Sequence, residues 1–281
     1  MYLVFDIGGS KTRLGISEDK QTLFGEPKVI DTPKVFEDGI KLISQTVGEM
    51  LAGKKLIAAA GGVAGVLDKT KSELARAPHL EGWAWKPLKE SLETALNCPI
   101  KLENDSAVVG LGEAHEGKGK GQRIVAYLTV STGVGGARIT NGKIDETSLG
   151  FEPGHQIIDP NGLTCLACGV KGHLEAYVSG YQIGITYKMP AYEIADANVW
   201  EELSKYLAIG VNNVLVHWSP DIVVVGGSMM KQVGIPIERV RAHLKEMLKI
   251  FPTIPPIELA TLGDLGGLYG GLALHRENTN L

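Results

Sequence analysis

Residues 2–17, "YLVFDIGGSKTRLGIS", decide the fold. Residues 2–5 form an unbroken apolar run, as a strand buried on both faces does. A turn follows, Asp6-Ile7-Gly8-Gly9-Ser10-Lys11, and "TRLGIS" then alternates in the manner of a returning strand. The stretch is therefore a hairpin. A phosphate-binding loop of the G-x-x-x-x-G-K-[ST] type needs a helix after it. A glycine-rich tip can still present Gly8, Gly9 and Ser10 as consecutive N–H donors to an anion. Asp6 beside that tip could hold a magnesium ion through water. Taken alone, the same residues also read as a plain two-glycine hairpin.

The pattern recurs. "RIVAYLTV" (123–130) is a strand, "STGVGG" (131–136) a turn, "ARIT" a return strand, and "NG" at 141–142 a further tight turn. Thr132, Gly133 and Gly135 line this second tip. Two phosphate-cradling hairpins, one in each half of the chain, are the arrangement of actin-like ATPases and sugar kinases.

Between the hairpins lies "IKLENDSAVVGLGEAHEG" (100–117), a short strand followed by a helix with Ser106 as its expected cap. Asn104 and Asp105 then sit at a strand end beside a helix N-terminus, whose dipole keeps a carboxylate ionised. Such an aspartate can accept a hydroxyl proton during phosphoryl transfer. Asn104 and Asp105 can equally do no more than cap the helix. "DIVVVGGSMMK" (221–231) is a buried strand ending in Gly226 and Gly227, either a nucleotide contact or a close-packing turn. Residues 238–251 read as an amphipathic helix broken by Pro252, "IELA" as a strand, and "LGDLGGLYGGLALH" as a tightly packed helix.

Composition narrows the class. The chain has 281 residues, 44% apolar and 21% charged, enough for two domains or one large one. A net charge of -4 offers no general basic surface to nucleic acid or anionic membrane. No apolar run approaches the roughly 20 residues of a membrane span. The start, "MYLVFDIGG", has neither a basic leader nor a cleavage pattern, so a cytoplasmic protein is expected. Three cysteines make no disulfide framework, and Cys98 reads as core.

The other two cysteines stand in "GLTCLACGVKGHLEAYVSG" (162–180), three positions apart, with a histidine five residues after the second. Metal binding is one reading. Small buried thiols in a loop held by its own turns is the other.

The order of motifs resembles the ROK (repressor, open reading frame, kinase) family of sugar kinases. The resemblance rests on "DIGGSKTRLGI", "GGVAGVLD", "APHLEGWAWKPL", "ENDS", "STGVGG", "VVVGGS" and "LGDLGGLYGG". Ala64 replaces a usual proline and His79 a usual asparagine. The family pattern E-x-G-H followed by C-x-C-G-x-x-G-C-x-E is met fully by Glu152–His155. In its second part Leu166 stands in for the first cysteine, with Cys165 one place earlier, and His173 for the last. The resemblance implies a zinc site of one histidine and three cysteines. This chain offers His155, Cys165, Cys168 and His173, a set suited to structural zinc.

The resemblance further implies an α/β, two-lobed actin-like ATPase (ribonuclease H-like) fold with an interlobe cleft. The expected lobes are 1–106 plus 269–281, and 107–268 with a metal-binding-type loop at 152–175. It implies hexose contacts from Gly65, Asn104, Asp105, Glu152, His155 and Glu175. The nucleotide contacts implied are Asp6, Gly8, Gly9, Ser10 and Lys11 on one side, Thr132, Gly133, Gly135, Gly226 and Gly227 on the other. The expected activity is phosphorylation of a glucose-like hexose at its 6-hydroxyl, with ATP and Mg2+ and with Asp105 as general base. N-acetylmannosamine, N-acetylglucosamine or fructose as substrate, or a sugar sensor without catalysis, are the alternatives. A sugar-responsive repressor would need a helix-turn-helix ahead of the first strand, and Tyr2 leaves no room for one. By analogy a homodimer or homotetramer is expected, with no nucleic-acid or membrane partner.

Overall fold

Each hairpin seeds a five-stranded sheet, and the two sheets share one topology. The computed structural model describes residues 1–231 and 233–277. The chain divides into a unit of residues 1–116, 146–150 and 264–281, and a unit of 117–145 and 151–263.

In the first unit, β1 (Tyr2–Ile7), β2 (Lys11–Ser17) and β3 (Phe24–Asp31) form an antiparallel meander. Then come α1 (Phe36–Leu51), β4 (Ala58–Val63), the small ribbon β5 (Val66–Leu67) and β6 (Leu74–Arg76), α2 (Leu88–Leu96), β7 (Ile100–Asn104) and α3 (Asp105–Glu116). β4 and β7 join β1 in parallel, giving the order β3-β2-β1-β4-β7. In the second unit, β8 (Ile124–Val130), β9 (Val134–Thr140) and β10 (Lys143–Ile144) repeat the meander. They lead through α4 (Glu175–Val178), α5 (Gly180–Tyr187) and α6 (Ala197–Trp218) to β11 (Ile222–Gly226), α7 (Ile237–Met247) and β12 (Ile257–Leu259). β11 and β12 run parallel to β8, giving β10-β9-β8-β11-β12.

The central strands are buried on both faces, as their continuous apolar runs require: Leu3, Val4 and Phe5 in β1, Val223 to Val225 in β11. Cys98 belongs to the first core, and burial lifts its thiol to about 11.

The last helix, α8 (Gly266–Glu277), belongs to the first unit. It packs on α3 through glycines: a Cβ on Gly112 would come within 2.5 Å of the Gly266 carbonyl, and one on Gly270 would overlap the Val108 carbonyl. This contact carries α3 with the first unit, so the division falls at Glu116 and Asp264 rather than at 106 and 269. α7 ends at Met247, not at 251; Leu248 is already extended, and the segment reaches Pro252 as irregular chain. Among the described residues no helix is long and apolar enough to cross a membrane.

Candidate functional site

In the first unit, the tip of the β1–β2 hairpin is held from three sides. Gly8 N–H donates to the Lys11 carbonyl at 3.0 Å, and Thr32 N–H donates to the Ser10 carbonyl at 3.0 Å. A Cβ on Gly9 would sit 2.5 Å from that of His79, so only glycine lets the tip meet this segment. The Lys11 ammonium lies 2.5 Å from Asp31 on β3, so the resting lysine is engaged along the sheet edge.

Asp6 lies near the end of β1 with its side chain 17% exposed, and Arg13, its cross-strand partner, stands 3.9 Å away. Asp264 lies 3.7 Å from the other arm of that guanidinium. Burial pushes the Asp6 carboxyl above its usual range; Arg13 opposes this in part and Asp264 adds to it. Gly267 makes room, because a Cβ there would stand 2.8 Å from Asp6 Cγ. Sequence reading missed Arg13 and Asp264. The hairpin register pairs Asp6 with Arg13 and would have revealed the first; nothing local marks the second.

Asn104 ends β7 and Asp105 begins α3. The Asn104 Oδ1 accepts from Ala107 N–H at 3.2 Å, and Nδ2 donates to the Gly65 carbonyl at 3.0 Å. Asn104, not Ser106, therefore caps the helix; Ser106 N–H instead donates to Asp105 Oδ1 at 2.7 Å. Gly65 has φ +127°, and a Cβ there would meet the Arg76 carbonyl at 2.5 Å. Gly65, Asn104 and Asp105 thus share one neighbourhood, braced by the Lys71–Glu103 ion pair one residue back.

In the second unit, the β8–β9 tip is gripped by the chain around α4 and α5. Gly180 N–H donates to the Ser131 carbonyl at 2.7 Å, and Tyr181 N–H to the Thr132 carbonyl at 3.2 Å. Glu175 Oε2 accepts from Val134 N–H at 2.8 Å. Gly227, at φ +100°, lies against the Val130 backbone, and the Ser228 and Ser131 hydroxyls are 3.0 Å apart. The second glycine pair therefore abuts the base of the second tip. Glu152 precedes the short turn Pro153–His155, and its Oε2 stands 4.0 Å from His155 Nε2.

The ligating atoms of His155, Cys165, Cys168 and His173 all lie within 4.8 Å of one another. His155 Nδ1 and His173 Nδ1 are 3.1 Å apart, and Cys168 Sγ is 3.2 Å from His173 Nδ1. Ordinary zinc bond lengths in a tetrahedron imply edges of about 3.3 Å for N–N and about 3.6 Å for S–N, so these two separations lie near those of a zinc tetrahedron and the donor types suit the ion. The one-residue shift of the first cysteine is absorbed by the turn. Cys165 is buried, whereas Leu166, at the usual position, is 49% exposed. Burial and the neighbouring Cys168 raise the Cys165 thiol to about 11, while burial and His155 lower His173. Of the residues expected to touch sugar, His155 offers Nδ1 to this cluster and Nε2 toward Glu152.

Two sheets of identical topology, each opening on a glycine-tipped hairpin, define the actin-like ATPase fold. The family model described as "ROK family" matches residues 2–278, and the chain belongs to that family. A glucokinase of Streptomyces coelicolor is 27% identical over 308 residues, covering 97% of this chain and 96% of its own. An N-acetyl-D-glucosamine kinase of Escherichia coli O157:H7 is 29% identical, covering 98% of this chain and 99% of its own. The ROK family glucokinase of Streptomyces griseus, solved with glucose and AMPPNP, superposes with a TM-score of 0.83 at 24% identity over 99% of both chains.

Proposed function

We propose that this ROK-family sugar kinase transfers the γ-phosphoryl group of ATP to the 6-hydroxyl of a glucose-like hexose, with Asp105 as general base. The observation that carries the reading is the position of Asp105. It is the first residue of α3, directly after Asn104, whose amide is fixed by Gly65 and by the helix it caps. As the phosphorus–oxygen bond to ADP breaks and the bond to the sugar oxygen forms, Asp105 takes the hydroxyl proton. Phosphoryl transfer asks the protein chiefly for positioning and charge stabilisation. The N–H groups of Gly9 and Ser10, and those of Thr132 and Gly133, are the assigned phosphate donors. Gly8, whose N–H is taken by the Lys11 carbonyl, and Gly135, in the ladder opposite Thr129, line the two tips without donating, and Gly226 and Gly227 lie toward the nucleoside.

Bound magnesium neutralises charge on the phosphate oxygens. Asp6, partly buried beside the first tip, is the residue assigned to hold it through water. Gly65, Asn104, Glu152, His155 and Glu175 are assigned to the sugar hydroxyls. Zinc is assigned to His155, Cys165, Cys168 and His173. Four protein ligands leave no open position, so this ion would be structural, holding the loop from which Glu152 and Glu175 project.

A coupled ADP-release assay with glucose, N-acetylglucosamine, N-acetylmannosamine and fructose tests the reading. Glucose is expected to give the highest kcat/KM. Asp105→Asn should lower kcat at least a hundredfold while sugar affinity stays within about tenfold. Near-normal turnover in that variant overturns the base assignment, and no turnover with any hexose overturns the function.

A further inference from the structure

The Glu175 carboxylate is fastened to the second hairpin tip. Oε2 accepts Val134 N–H at 2.8 Å, and it would lie 2.8 Å from a Cβ on Gly133, so the carboxylate is packed directly on the turn. Val134 is the first residue of β9, where the tip becomes ladder, and it pairs with Val130 across the hairpin. The same residue is pressed from a second side: a Cβ on Gly154, next to His155, would overlap the Val134 carbonyl. Pro153 meets β9 two residues further on, 2.9 Å from where a Cβ on Gly136 would stand. Glu175 itself heads α4, two residues after His173. Val134 is thus clamped by the two segments that carry the histidines of the four-residue cluster.

We infer that Glu175 is a positioning residue for the nucleotide phosphates: through Val134 N–H it sets the conformation of the 131–134 turn. The inference rests on the kinase reading, and it gives Glu175 a second duty that sugar contact alone does not require. Without an acceptor at Val134, that donor is left unpaired under the Gly154 segment. The turn then relaxes, and the N–H groups of Thr132 and Gly133 lose their common aim. A hydrogen bond to a charged acceptor is strong enough to matter at this scale.

The test is titration with magnesium AMPPNP in the absence of sugar, on the full chain. Glu175→Ala and Glu175→Asp both fail to reach Val134, and each should weaken nucleotide binding by about tenfold or more. Glu175→Gln keeps an acceptor oxygen at the same reach and should stay within about threefold of the parent. Nucleotide affinity unchanged in Glu175→Ala, or weakened equally in Glu175→Gln, overturns the inference. If Glu175→Ala does not fold, the Asp and Gln pair decides by the same contrast. A parent protein that binds no magnesium nucleotide overturns the kinase reading itself, an outcome distinct from a parent and a Glu175→Ala variant that bind alike.

Discussion

His155 Nδ1 lies 3.1 Å from His173 Nδ1. A neutral imidazole carries one N–H, so two facing nitrogens either share a single proton or turn both lone pairs to one cation. The Cys168 thiol, 3.2 Å from the same His173 nitrogen, favours the cation. Protein isolated without added zinc should carry about one zinc per chain, and chelation should lower its melting temperature. His173→Ala should lose the metal. His173→Cys should keep it, because three thiolates and one imidazole also make a tetrahedral set. Elemental analysis checks each variant, and a metal-free parent with the loop still folded would sink the zinc assignment.

Asn104 joins helix capping to the placement of Gly65. Asn104→Ala loses both hydrogen bonds and should cost about 1–3 kcal/mol of stability, with a raised sugar KM. Asn104→Asp retains an acceptor for Ala107 N–H but turns a lone pair on the Gly65 carbonyl, so it should fall between. Denaturant melts order the three proteins, and a KM that does not move in Asn104→Ala would place Asn104 outside the sugar site.

Asp6 carries a conflict between stability and chemistry. Its raised carboxyl pKa means the folded state holds that proton more tightly than the unfolded chain does. Stability is therefore lost as pH rises from the ordinary carboxyl range of 3.8 through the folded value. Asp6→Asn removes the desolvation cost of the carboxylate and should melt no lower than the parent at neutral pH. Its turnover should fall by about a hundredfold or more, since the magnesium carboxylate is gone. A stable, fully active variant would remove Asp6 from the ATP site.

Both hairpins were legible because buried apolar runs and glycine tips are local features. The pairing of Asp6 with Arg13 was one register step further, and it was missed. The cap stayed open between Ser106 and Asn104 because both are good cap residues. The choice turns on where the β7 ladder ends, which depends on pairing with β4. The four metal-type ligands were legible by chemistry, but the outward turn of Leu166 was not. The division at Glu116 follows from α3 meeting α8 through Gly112 and Gly270, residues about 160 positions apart in sequence, which no local pattern connects. Glu175 shows the same limit: its tie to Val134 N–H spans 41 residues.

His275 gives a pH prediction independent of the site. It is buried in α8, and its Nε2 lies 2.9 Å from the Leu3 carbonyl of β1, so the neutral ring donates there. Burial chiefly, with the Lys20 and Lys101 charges, lowers its pKa from 6.5; the Leu3 carbonyl opposes this in part. The unfolded chain then binds a proton that the folded one refuses. Stability from this group is complete above the unfolded value of 6.5 and declines as pH falls below it. His275→Gln keeps a donor for Leu3 but does not titrate. Its melting temperature should fall less steeply than the parent's below pH 6.5, and the two curves should run parallel at higher pH. Equal slopes on both sides would mean that protonation of His275 is not coupled to folding.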